Sequence, residues 1–187
     1  DLATVSLGVA ASLLCSGAVL PIFGESVAEA ARHEITTDTS ISNDETSTYA
    51  DGVKMNASNI ALTITSTGKV KMIESAGYNN NTITVQGKVI CGSSSSSAIW
   101  GAATGTKVYI KTGANVQGEI YAGRDATSEV SGNELDISVG TIEGNIFGGI
   151  NENLTTAYDA KNNTVTISGS SITGSVTGGY AYLGKGT

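Results

Sequence analysis

The feature that most constrains the fold of this 187-residue chain is an internal repeat. "NNTITVQGKVICG" at 80–92 is followed by "GTKVYIKTGANVQGEIYAG" at 105–123, "GNELDISVGTIEGNIFGG" at 132–149 and "KNNTVTISGSSITGSVTGG" at 161–179. Each copy has a polar or Asn-bearing entry, an apolar-x-apolar strand, a Gly-containing bend and a second apolar stretch punctuated by glycine. The pairs Ile83/Val85, Val108/Ile110, Leu135/Ile137 and Val165/Ile167 recur at spacings of 25, 27 and 30 residues. The same copies align Val116, Ile142 and Ile172, then Gly118, Gly144 and Gly174, then Ile120, Ile146 and Val176. Self-similarity at this period is the mark of a stacked repeat architecture.

A single copy cannot fold alone. Its few inward side chains, about four, do not offset an ordering entropy of about 1–2 kcal/mol for each backbone residue. Stacking removes the deficit, because neighbouring copies then lie in register at about 4.8 Å, aliphatic on aliphatic, with one continuous hydrogen-bond ladder. The alternation of apolar and polar residues in each segment has the period of two that belongs to half-buried strands. The expected fold is therefore all-β: a single-stranded parallel β-helix, or β-solenoid, with about 25–30 residues per coil. Glycines at the bends, together with Asn80, Asn81, Asn133, Asn162 and Asn163, suit corners. The stretches at 93–104, 124–131 and 150–160 vary in length and are expected to protrude as loops.

Upstream the character changes twice. Residues 2–23 carry no charge and precede an Ala28-x-Ala30 pattern, so 1–30 reads as a secretory signal cleaved before Ala31. A span of about 20 apolar residues is also long enough to cross a bilayer. Residues 31–50 are polar with few apolar anchors and are expected to form an exposed leader, with the solenoid running from 51 to 187. Cys15 lies in the apolar segment, behind Leu14 and not behind the small residue a lipidation site takes; removal of that segment leaves one cysteine, Cys91, and so no disulfide framework is expected.

Charged residues are scarce at 14%, and the net charge is −7 with no Lys/Arg cluster, which excludes the electrostatic footprint of a nucleic-acid binder. His33 is the only histidine, which argues against Ser-His-Asp chemistry. The acidic residues form neither a G-G-x-G-x-D array nor an EF-hand loop, so neither metal nor cofactor is expected. Asp136 should project outward, and Glu119 and Glu143 are expected to stack on the solvent face. The candidate ligand contacts are aromatic: Trp100 in the Ser-rich insertion, and Tyr121 and Tyr180, which with Phe147 fall near one corner. The rank Thr82/Thr84 and Thr164/Thr166 is interrupted by Lys107/Tyr109 and Glu134/Asp136, which disfavours a flat ice-binding face.

Strands of the "NNTVTISG" kind followed by "GSVTGGY" and "GNIFGG" resemble the repeats of bacterial autotransporter passenger regions and related surface adhesins. The resemblance covers about residues 80–187 well and 51–79 loosely. It implies a right-handed β-helix, export to the bacterial cell surface, and an outer-membrane translocator domain beyond residue 187, which would make this chain an N-terminal fragment with an open solenoid edge capable of self-association. It further implies an adhesive role toward a host receptor, glycan or neighbouring cell. Because parallel β-helices also include polysaccharide lyases and glycosidases, a carbohydrate-active enzyme is the alternative reading.

Overall fold

The computed structural model describes residues 31–187; the apolar segment 1–30, with Cys15 and the Ala28-x-Ala30 pattern, lies outside the described residues. All regular structure among the described residues is β, and every pairing between strands is parallel. The chain winds through about six turns of a three-sided solenoid. The first face stacks His33–Ile35, Val53–Met55, Ile73–Glu74, Ser97–Trp100, Glu119–Tyr121, Ile146–Asn151 and Val176–Ala181. The second stacks Thr39–Ile41, Ala61–Ile64, Thr82–Val85, Lys107–Ile110, Glu134–Ile137 and Thr164–Ile167. The third stacks Lys69–Val70, Lys88–Ile90, Ala114–Gln117, Gly140–Glu143 and Ser171–Ile172. Coils are numbered 1 to 6 from the first-face strands that begin at residues 33, 53, 73, 97, 119 and 146.

The register is the one the repeat dictates. Ile83, Val108, Leu135 and Val165 are consecutive partners on the second face, as are Val85, Ile110, Ile137 and Ile167. Val116, Ile142 and Ile172 align on the third face, and Ile120, Ile146 and Val176 on the first. Alternation along each strand turns these side chains inward and leaves their neighbours facing water; those up to Ile146 form one contiguous core, Val165 and Ile172 pack against it, and Ile167 and Val176 in the last turn are exposed. Asp136 faces outward and meets Lys111 at 3.7 Å.

The solenoid starts earlier than composition indicates. Residues 31–50, expected as an exposed polar leader, supply coil 1: His33–Ile35 pairs with Val53–Met55, and Thr39–Ile41 pairs with Thr39's partner Leu62 through to Ile64. Ile35 and Ile41 join the core and suffice to anchor an otherwise polar coil. His33 is half-buried; its Nδ1 lies 2.8 Å from the buried Glu45 carboxylate and its ring stacks on Tyr49.

The corner between the first and second faces is built by backbone conformation and by amide side chains. Asn59, Asn80, Gly105, Gly132 and Asn162 stand two places before successive second-face strands, all with positive φ, a region open to glycine and tolerated by Asn. The next residues, Asn81, Thr106 and Asn133, are buried polar side chains that satisfy backbone groups inside the corner. Asn133 Oδ1 accepts the Thr106 N–H at 2.9 Å, and its Nδ2 donates to the Ala103 carbonyl at 3.0 Å and to Asn163 Oδ1 at 2.9 Å. Asn81 likewise accepts from the Ile60 N–H and donates to the Ala57 carbonyl.

The three variable stretches are only partly loops. Ser97–Trp100 is a first-face strand with Ala98 and Ile99 in the core, Arg124–Asp125 pairs with Ile150 and Asn151, and Val130–Ser131 pairs with Ala160–Lys161. The exposed parts shrink to residues 92–95, 126–128 and 154–157.

Candidate functional site

The third-to-first corner is tight wherever the repeat is regular. Val116 to Ile120, Ile142 to Ile146 and Ile172 to Val176 each take four residues, with a glycine at the midpoint. A Cβ on Gly144 would sit 2.5 Å from the Gly118 carbonyl oxygen, and one on Gly174 would collide with the Gly144 carbonyl. Only hydrogen fits between these stacked turns.

Between coils 3 and 4 this corner is widened, because Val89 and Ile99 are ten residues apart and the Ser-rich insertion fills the gap. The insertion closes on itself through the Ser96 N–H to the Ser93 carbonyl and a Ser93–Ser95 hydroxyl contact at 3.0 Å. It leans on one side against the glycine turns: a Cβ on Gly118 would lie 2.6 Å from the Ser96 carbonyl oxygen, and one on Gly144 would lie 2.8 Å from that of Ser94. On its other side a cavity of about 370 Å³ opens toward coils 1 to 3. Its walls come from four successive turns: Arg32; Ala50 and Asp51; Lys71 and Met72; and Cys91, Ser95, Ser96, Ser97 and Trp100.

The polar groups of the cavity are unevenly committed. Arg32 forms a close ion pair with Glu74. Lys71 and Asp51 make no ion pair among the described residues. Asp51 and Lys71 stand two places before the inward Val53 and Ile73, the position that glycine takes in the later, tight corners.

Trp100 is the cavity's aromatic wall and also the start of an outward column. Glu74, Trp100, Tyr121, Phe147 and Thr177 are successive partners on the first face. The Tyr121 and Phe147 rings stack with centroids 5.0 Å apart and nearly parallel. The Arg124 guanidinium lies over both Trp100, at 4.3 Å, and Tyr121, at 4.7 Å, and is held by Glu152 at 2.8 Å and Ser97 Oγ at 3.1 Å. The Tyr121 hydroxyl donates to Glu119, whose second oxygen accepts from Asn145 at 2.8 Å. Burial, reinforced by that hydrogen bond and by the Glu119 charge, pushes the Tyr121 phenol well above its ordinary pKa. The Trp100 Nε1–H is enclosed without an acceptor.

The three aromatic candidates therefore separate. Trp100 lines the cavity, whereas Tyr121 is 6% exposed beneath Arg124. Tyr180 is 43% exposed but stands over Ile150, edge-on to Tyr182, and the position above Phe147 belongs to Thr177. Tyr180 thus has no place in the aromatic column. Glu119 and Glu143 do not stack as expected: Glu143 is in register with Gln117, while Glu119 meets Asn145. Arg32, Asp51 and Lys71 escaped sequence reasoning because each is a lone charge on a separate coil; the offset shared by Asp51 and Lys71, two places before Val53 and Ile73, was the available signal, and Arg32 stands one place before its strand.

The fold and this corner define a parallel β-solenoid whose regular coils are interrupted by widened turns that enclose a cavity. No protein-family model, curated protein or solved structure matches the chain.

Proposed function

We propose that the protein is an exported cell-surface β-solenoid with a structural and adhesive role, whose departures from the repeat carry ligand contacts. The observation behind this reading is the division of labour along the chain. The repeated residues build a continuous core, and the two longest third-to-first corners among the described residues, Glu45 to Val53 and Val89 to Ile99, both line the cavity beside Trp100. Stacked coils with a shared ladder make a stiff support, and loops on such a support are free to vary without disturbing it. Export agrees with the scarcity of cysteine and the uncharged segment 2–23.

A second reading, a β-helical carbohydrate-active enzyme, draws on Asp51, Lys71 and Arg32 lining one cavity. Glycoside hydrolysis ordinarily uses two carboxyl groups about 5–10 Å apart. Asp51 is the one carboxylate among the described residues of the cavity wall, and the nearby Glu74 is engaged by Arg32. The adhesive reading is therefore preferred.

The test is to display the full chain on bacterial cells and measure their adherence to epithelial monolayers and glycan-coated surfaces, alongside incubation of the purified protein with acidic and neutral polysaccharides. Adherence above that of non-displaying cells, with no shortening of the polysaccharides, is the expected result. Depolymerisation without adherence would establish the enzyme in its place.

A further inference from the structure

We infer that the cavity under the Ser-rich corner is a binding site for a carboxylate-bearing sugar ring, such as a uronic acid unit within a glycan. The inference rests on the adhesive reading and gives it a ligand class. In a chain of net charge −7, the cavity wall carries two cations, Arg32 and Lys71, against the single carboxylate Asp51. Lys71 has no ion-pair partner among the described residues, and Glu74 takes up only one edge of the Arg32 guanidinium, which has five donors to offer. A ligand carboxylate satisfies both.

The rest of the wall matches the remainder of a sugar. Sugar hydroxyls both donate and accept, and the cavity offers Asp51 as acceptor with Ser95 and Ser96 hydroxyls able to do either. The C–H face of a pyranose is apolar and packs on aromatic rings; Trp100 is held in place for such a contact by Arg124 on the column it begins. The volume of about 370 Å³ lies at the lower end of the range of small-ligand sites, about 300–1,000 Å³. That size suits one or two sugar units and excludes a bulky macromolecular segment. Lys71, which has no ion-pair partner among the described residues, also separates this class from neutral sugars, because its ammonium would keep its water when an uncharged ring binds.

The molecule carries its own reporter, since Trp100 is the only tryptophan. Titration of the full chain with trigalacturonate, followed by tryptophan fluorescence, is expected to give a saturable change, and galactotriose of equal length is expected to give none. Lys71→Gln is expected to weaken trigalacturonate binding about tenfold or more, the effect of losing a charge-assisted contact. Lys71→Glu should abolish it, and Lys161→Gln, at a distant ion pair, should leave it unchanged. Circular dichroism of each variant verifies the fold. Equal response to the acidic and neutral trisaccharides, no response to either, or full binding by Lys71→Gln would overturn the inference. Adherence of cells displaying Lys71→Gln separates the two levels: binding lost with no uronide response in the parent protein refutes the ligand class alone, whereas uronide binding by cells that never adhere refutes the adhesive role alone.

Discussion

Replacing Ile110 and Ile167 by alanine, one at a time, tests whether the stacked spine holds the fold. Both residues occupy the same position of the repeat, so their chemistry is identical and only their place in the stack differs. Ile110 is fully buried between Val85 and Ile137, and the packing around it is close enough that a Cβ on Gly140 would lie 3.2 Å from its Cγ2. Ile167 has Ile137 on one side and is 40% exposed. Truncation removes three carbon groups, and at about 0.8 kcal/mol each the transfer loss at a fully buried site is about 2.4 kcal/mol. A residual cavity adds to this at Ile110, bringing the cost to about 3–4 kcal/mol, within the measured span for such substitutions. At Ile167 nearly half of the side chain is already wet and solvent fills the gap, so the cost falls to about 1 kcal/mol. Urea denaturation followed by far-UV circular dichroism reads both. Hydrogen exchange at the Lys111 and Ser138 amides, which donate across the coils to Val85 and Ile110, reads the local opening. Equal costs at the two positions, or a loss below about 1 kcal/mol at Ile110, would refute the spine as the source of stability.

Three further outcomes are expected. Asn133→Ala should cost about 1–3 kcal/mol in chemical denaturation, because it strands the buried Thr106 N–H, while the Ala103 carbonyl keeps the Ser131 N–H; a loss under about 0.5 kcal/mol would show that water replaces the amide. Gly144→Ala forces a methyl against the Gly118 and Ser94 carbonyls and should destabilise the corner by about 1–3 kcal/mol while opening the serine loop to proteases; unchanged cleavage within residues 93–96 would contradict the close packing. Asp44 accepts from the Thr46 hydroxyl and N–H and pairs with Lys69, contacts that hold its carboxyl at a pKa of about 2 against an ordinary 3.8. A depressed folded-state pKa means that the stabilisation is present above 3.8 and is lost as pH falls through about 2. The stability advantage of the native protein over Asp44→Asn should therefore shrink across that window, and a pH-independent difference would exclude the linkage.

The extent to which the sequence exposed this structure follows from the geometry of a solenoid. Contacts between coils are contacts between equivalent positions, so a periodic string of residues already contains its own contact map. Ile83, Val108, Leu135 and Val165 could be paired by alignment for that reason, as could Gly118, Gly144 and Gly174, where one turn's carbonyl leaves no room for the next turn's Cβ. The alignment failed where a count slipped: Glu143 lies before its glycine and Glu119 after, so they belong to different columns. Coil 1 was hidden because two isoleucines in a polar stretch do not advertise a strand, and only the waiting edge of coil 2 makes Ile35 and Ile41 worth burying.

The sequence alone determined the parallel stack, its register and the composition of its core, since these repeat from copy to copy. The tertiary structure decided what happens where the copies differ. Arg124 reaches from one coil to cover Trp100 and Tyr121 on two, and Arg32, Asp51, Lys71 and the Ser95–Ser97 hydroxyls meet around one cavity although they come from four turns. Such meetings depend on the lengths of corners and the reach of side chains in space, and no period in the sequence records them.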